Sequence, residues 1–140
     1  MDISIPWWAL LIGAGIYMGV GFLWYMQGVF GKQWVKLMGW TLDTEEGRRD
    51  FEARQKGMNI IFAQTAVMAI IMSYTLANGI DMVESLGGNP YLLPIWLWLG
   101  FIVPTTYINA LFAHKSKKLW AIDTVYPLVA LFLMTAFFTM

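Results

Sequence analysis

A single carboxylate stands within a long apolar run near the C-terminus of the chain. Asp123 follows the last lysine, Lys118, by five residues and precedes Pro127 by four. An ionisable side chain in a run that spans a membrane is costly, so it usually faces the protein interior and pairs with polar groups. In a helix, Pro127 would also leave the carbonyl of Asp123 without its usual amide donor. Asp123 is therefore the first candidate for a functional polar site.

Other polar side chains lie in apolar runs at a similar distance from the charged connections. A hairpin that turns at residues 114–117 would bring Asn109 and Asp123 to one level. We expect a pocket at this level that binds a proton or a small polar solute. Its candidate residues are Asp123, Asn109, Gln64, Gln27 and Tyr25. The alternative is that Asp123 only pairs with a nearby lysine or with Tyr25 at the depth of the lipid headgroups.

The residue types that most enzyme and metal sites require are scarce in this chain. There is no cysteine, and His114 is the only histidine. These counts exclude a disulfide framework, a cysteine nucleophile and any metal or haem site that needs two histidines. The phosphate-binding pattern G-x-x-x-x-G-K does not occur either. We therefore expect no enzyme activity, no cofactor, no metal ion and no nucleic-acid partner.

The elements that must position these residues are membrane spans. The chain is 59% hydrophobic and 13% charged, whereas soluble domains carry about 25% charged residues. A hydrocarbon core ~30 Å thick is crossed by a helix of ~20 apolar residues. Four runs of about this length contain no Lys or Arg: residues 5–30, 60–80, 91–113 and 119–140. Because lipid offers the backbone no hydrogen bonds, we predict one all-α transmembrane domain, a four-helix bundle over residues 1–140.

The basic residues predict the orientation of the bundle. All nine Lys and Arg lie in the connections 31–59 and 114–118, while the N-terminus and residues 81–90 carry only Asp2, Asp81 and Glu84 as charged residues. The positive-inside rule then places both termini outside and both basic connections in the cytoplasm. The candidate pocket would face the cytoplasm. We expect a multi-pass membrane protein, in the cytoplasmic membrane if the source is bacterial or archaeal.

The long connection 31–59 combines two patterns. Its first part places Trp34 beside Lys32 and Lys36, which is typical of a segment that lies at the membrane surface and contacts anionic headgroups on the cytoplasmic side. Its second part begins with Thr44 as a possible N-cap and continues with pairs such as Glu45 and Arg49 at i,i+4. This part is predicted to be a solvated helix that runs into the second span.

The eight tryptophans are distributed toward the ends of the spans. Trp and Tyr are enriched at both membrane surfaces, so we expect two aromatic belts. The outer belt would contain Trp7, Trp8, Trp96 and Trp98, and the inner belt Trp24, Trp34, Trp40 and Trp120.

The first span contains a small-residue pattern. Gly15 and Gly19 form a GxxxG, which allows two helices to approach closely. In a chain with four spans this contact is expected within the chain, and self-association through the same face is the alternative.

The stretch "GFLWYMQGVFGKQW", residues 21–34, resembles the signature of the small membrane family catalogued as domain of unknown function 1761. The matching residues are Gly21, Trp24, Tyr25, Phe30, Gly31 and Trp34. Members often carry a small residue and a proline after the Trp-Tyr pair, where this chain has Met26, Gln27 and Gly28. The resemblance implies a small four-span membrane protein and supplies no chemistry.

Two functions are compatible with these observations. Small size and missing catalytic residue types favour a non-enzymatic structural or accessory component of a homo-oligomer or a larger membrane complex. The alternative is a small transporter or channel for a proton or small polar solute, which would use the pocket around Asp123.

Overall fold

The computed structural model describes residues 5–38 and 44–140, less the side chains of residues 27, 28, 51, 54 and 55. All regular structure in this part of the chain is helical. The helices are α1 (Trp7–Trp24), α2 (Lys32–Leu37), α3 (Glu45–Gln55), α4 (Met58–Ser85), α5 (Leu92–Leu97), α6 (Val103–Phe112) and α7 (Lys117–Phe138). Two π-helical segments, Gln27–Gly31 and Trp98–Ile102, precede α2 and α6.

Four helical stretches are long and apolar enough to cross a membrane. They are α1, α4, the continuous stretch Leu92–Phe112 that joins α5 to α6, and α7. This confirms the predicted all-helical chain with four membrane-length helices, which is the layout of a multi-pass membrane protein. We call the end of the bundle at which α1 ends and α7 begins the basic end, since the lysine-containing α2 and residues 115–118 lie there.

The first helix is shorter than the apolar run from which it was predicted. It ends at Trp24, and Met26 adopts an extended conformation with φ −64° and ψ 147°. The amides of Val29 and Gly31 then both donate to the carbonyl of Met26, at 3.0 and 2.9 Å, and form the π-helical turn. The α-helix is therefore interrupted before residue 30, although residues 26–28 contain no proline.

α7 is the helix around which the others pack. It contributes more buried residues than any other described helix, α1 packs against both α4 and α7, and the stretch Leu92–Phe112 lies mainly against α7. The tightest apolar cluster contains Leu76, Ile80, Leu131 and Met134. These residues lie in the half of the bundle away from the basic end, so the packing is closer there than at the basic end.

The glycines of α1 that contact other helices are not those of the GxxxG pattern. A Cβ added to Gly13 would collide with the Ser73 hydroxyl and the Phe138 ring, and Ser73 donates to the carbonyl of Leu10 at 3.0 Å. At Gly15 and Gly19 a Cβ would meet no atom within 4 Å. The contact expected within the chain at Gly15 and Gly19 is therefore made on another face of α1.

α3 has the features predicted for a solvated helix. The Thr44 hydroxyl accepts a hydrogen bond from the amide of Gly47 at 3.1 Å, and Arg49 pairs with Glu45 at 3.2 Å with both side chains exposed. Such exposed pairs contribute little to stability. The helix does not run into the second span as expected, because Gly57 adopts φ +92° and separates α3 from α4.

Candidate functional site

A cavity of about 560 Å³ opens at the basic end of the bundle. Four helices surround it: the last turns of α1, the short helix α2, the first turns of α4 and the second and third turns of α7. Its walls are largely apolar, with Met18, Met58 and Ile61 among the lining residues. The apolar core cluster lies in the other half of the bundle, where α4 and α7 meet.

Asp123 lines this cavity and pairs with Tyr25. The Tyr25 hydroxyl donates to Oδ1 of Asp123 at 2.6 Å, so the first residue after α1 is tied to the second turn of α7. Among the described side chains, no Lys or Arg forms an ion pair with this carboxylate. Of the two partners that the sequence allowed for a merely structural Asp123, the structure therefore shows the tyrosine and not the lysine.

Aromatic rings surround the Asp123 and Tyr25 pair. The Tyr25 ring makes edge contacts with Trp34 and Tyr126, with centroid distances of 5.7 and 5.9 Å. The Tyr126 hydroxyl donates to the carbonyl of Tyr17 at 2.7 Å, which fixes its ring against α1. A Cβ at Gly21 would lie 2.9 Å from the Tyr126 hydroxyl, so Gly21 provides the space in which Tyr126 fits.

The π-helical turn Gln27–Gly31 leads into α2, which places Trp34 in the cavity wall. A Cβ on Gly31 would overlap the carbonyl oxygen of Tyr25 and lie 2.8 Å from the carbonyl carbon and oxygen of Met26. Only a glycine allows the chain to pass so close to its own backbone. Trp24 at the end of α1 packs against Phe30 in the π-helical turn, with ring centroids 4.6 Å apart. The stretch from Gly21 to Trp34 therefore forms one side of the site around Asp123.

Two tryptophans hydrogen bond to the backbone of α7 on either side of Asp123. The indole of Trp24 donates to the carbonyl of Ile122 at 2.9 Å, and that of Trp98 donates to the carbonyl of Thr124 at 2.7 Å. Pro127 has no amide to donate to the carbonyl of Asp123, which lies between these two acceptors. These two indoles brace the helix at the level of Asp123.

Three of the tryptophans predicted to form the belts make hydrogen bonds within the bundle. Trp24 and Trp98 bond inside the bundle, and Trp120 donates to the Thr106 hydroxyl at 3.0 Å. Trp7, Trp8 and Trp96 are exposed, as expected for an outer belt. Trp40 lies outside the described residues.

The other predicted pocket residues do not join Asp123. Gln64 and Asn109 have exposed side chains and do not line the cavity, and the side chain of Gln27 lies outside the described part of the chain. Thr65, the neighbour of Gln64, lines the cavity instead. α6 contacts α7 through Thr106, whose hydroxyl lies 3.1 Å from that of Thr124, and not through Asn109.

Two polar residues of the cavity lining, Tyr126 and Thr65, were not among the residues predicted from the sequence. Tyr126 follows Asp123 by three residues and so lies on the same face of α7. Thr65 follows Ile61 by four residues on α4, and both line the cavity. Helical spacing from an accepted site residue was a usable signal for Tyr126, whereas nothing in the sequence distinguished Thr65 from Gln64.

Comparison with known proteins identifies a family but no activity. The family described as "Protein of unknown function (DUF1761)" matches residues 8–139. No curated protein and no solved structure matches the chain. The matched range contains every residue that lines the cavity.

Proposed function

The chain belongs to the DUF1761 family, whose description assigns no activity, and from the site itself we propose that it is a non-enzymatic membrane protein that binds a small solute at Asp123. The class of function is that of a small transporter or a membrane-embedded binding protein. Asp123 is the residue that contacts the solute, and Tyr25 holds the carboxylate in place.

The observation that carries this proposal is a carboxylate in the wall of a largely apolar cavity. A volume of about 560 Å³ falls in the range of about 300–1,000 Å³ that is usual for small-molecule sites. Tyr25 occupies Oδ1 of Asp123, and within the described residues Oδ2 has no hydrogen-bond partner. An acceptor of this kind is free for a group on a solute.

The rim of the cavity supports access from the apolar side of the bundle. Phe22, Ile61 and Phe62 line the cavity and are also exposed, with 55%, 49% and 37% of their surface accessible. A solute with an apolar body could therefore pass between α1 and α4 at the depth of these side chains. The Thr65 hydroxyl donates its proton to the carbonyl of Ile61 at 2.8 Å, so this donor has a partner without a solute.

The cavity is directly testable because the chain contains no cysteine. A Thr65→Cys thiol should react with N-ethylmaleimide more than about tenfold faster than an Ala69→Cys thiol, since a fully buried thiol reacts only through local opening. Ala69 lies one turn further along α4 and is 0% exposed. Rates would be measured in membranes by mass shift. Equally slow labelling at both positions would mean that the cavity is closed and would contradict the proposed site.

We also propose that the basic end faces the cytoplasm, on the strength of the nine basic residues in the two connections. Single cysteines at Ser85 and Lys115, both exposed, lie at opposite ends of the bundle. In right-side-out vesicles, an impermeant thiol reagent should label Ser85→Cys and leave Lys115→Cys unmodified until the vesicles are opened. The reverse labelling pattern would show that the basic end faces outward. Labelling of both cysteines from outside would contradict a bundle that spans the membrane.

A structural or accessory role within a homo-oligomer or larger complex stays a prediction. The observation in its favour is the space around Gly15 and Gly19 of α1, where an added Cβ would meet no atom of the described chain within 4 Å. Ile12 and Phe22 on that helix are also exposed. Anionic headgroups remain the expected partners of Lys32 and Lys36, whose side chains are exposed.

A further inference from the structure

We infer that the solute of this cavity is an organic monocation, a protonated amine or quaternary ammonium group that carries an apolar body. The inference rests on the proposed binding function and names the chemical class of its ligand. Three features of the cavity support it: the charge, the rings and the lining.

The charge of the cavity is unbalanced. An ionised carboxylate in apolar surroundings is stable only when it is paired. Tyr25 gives Asp123 one hydrogen bond, and no described Lys or Arg gives it a positive charge. A ligand with one positive charge supplies what the protein does not.

The arrangement does not suit a metal ion. Mg²⁺ and Ca²⁺ are held by several oxygen ligands in proteins, and within the described residues there is no group of three His, Cys, Asp or Glu side chains. One carboxylate matches a monocation in charge. The mostly apolar lining matches a ligand that carries hydrocarbon.

Aromatic rings border the same space as the carboxylate. Phe22 and Phe62 meet across α1 and α4 with ring centroids 5.4 Å apart, and Tyr25 contacts both Trp34 and Tyr126. All five of these residues line the cavity. The faces of aromatic rings attract ammonium groups, and such rings are used in proteins to enclose quaternary ammonium ligands. A neutral solute would gain no such attraction, and an anion would be repelled by Asp123.

Three probes of similar shape test the inference. Benzyltrimethylammonium is the cation, neopentylbenzene is its neutral isostere, and benzenesulfonate is an anion with the same ring. Equilibrium dialysis of the full chain in a neutral detergent, against protein-free micelles, gives binding corrected for partition into the micelle. We expect the cation to bind at least about tenfold more tightly than the neutral isostere and the anion not to bind.

Matched variants locate the effect. Asp123→Asn should weaken cation binding by at least about tenfold, whereas Asp81→Asn removes an exposed carboxylate outside this cavity and should leave binding unchanged. Phe62→Leu should weaken cation binding several-fold. Phe112→Leu is its control, because Phe112 is 84% exposed and lies outside the cavity.

The outcomes separate this inference from the proposed function. Equal binding of the cation and the neutral isostere, with no effect of Asp123→Asn, would overturn the monocation and leave a cavity that binds solutes. Failure of the cation to bind would also overturn it. Whether the cavity is open at all is decided separately by the labelling of Thr65→Cys.

Discussion

Replacement of Gly31 by alanine should destabilise the protein by about 1–3 kcal/mol or more. The added Cβ would overlap the carbonyl oxygen of Tyr25 and press on the backbone of Met26. These are main-chain atoms, so no side-chain rotation can relieve the contact. The π-helical turn after α1 must then open, and Tyr25 and Trp34 would move away from Asp123.

Gly15 provides a matched control. A Cβ there would meet no atom within 4 Å, and alanine is favoured over glycine inside a helix by about 1 kcal/mol. Gly15→Ala should therefore be neutral or slightly stabilising. The free energies of unfolding of both variants and wild type would be compared by denaturant titration in mixed micelles. Equal stability of the two variants would show that the π-helical turn at Gly31 is not tightly packed.

Replacement of Asp123 should have the second large effect, and it should depend on the substituent. Asp123→Leu leaves the Tyr25 hydroxyl without its acceptor, which costs about 1–3 kcal/mol for a buried polar group. In the wild-type protein Oδ1 lies 2.6 Å from that hydroxyl. Asp123→Asn retains an oxygen at this position and should keep most of the stability. Thermal unfolding in one detergent distinguishes the two variants.

A double variant assigns this loss to the hydrogen bond. Tyr25→Phe removes the hydroxyl, so adding it to Asp123→Leu should restore part of the lost stability. If Asp123→Leu were as stable as Asp123→Asn, and Tyr25→Phe changed nothing in either background, the pair would have no structural role and the carboxylate would face water.

The sequence was sufficient to predict four helices of membrane-spanning length and a polar partner for Asp123. Lipid provides no hydrogen bonds, so a run of ~20 apolar residues is helical almost regardless of its detailed sequence. A lone carboxylate in such a run needs a partner for the same reason. The partner that the structure shows, Tyr25, was among the residues considered.

The composition of the pocket could not be predicted in the same way. Distance from the charged connections gives the depth of a residue but not the direction of its side chain. Gln64 and Thr65 lie at nearly the same depth, yet they differ by about 100° around the helix, and only Thr65 reaches the cavity. The direction of a side chain depends on how α4 packs against α1 and α7. That packing is determined by residues that are distant in sequence.

The end of α1 was mispredicted for a related reason. The run 5–30 is apolar throughout, so hydrophobicity alone extends the span to Phe30. The π-helical turn that follows α1 depends on the close approach of Gly31 to Tyr25 and Met26, which a count of apolar residues does not reveal. Trp98 likewise has a residue type typical of a membrane surface, and its hydrogen bond to the Thr124 carbonyl of α7 could not be predicted from that residue type.

Native mass spectrometry of the wild-type chain and Asp123→Asn, each extracted gently from its own membrane into a neutral detergent, tests most directly whether Asp123 holds a small solute. The same spectra report the number of copies in the assembly. We predict a small-molecule adduct on the wild-type protein that is absent from Asp123→Asn, with the same assembly in both. An identical adduct on both proteins, or a bare chain in both, would contradict it.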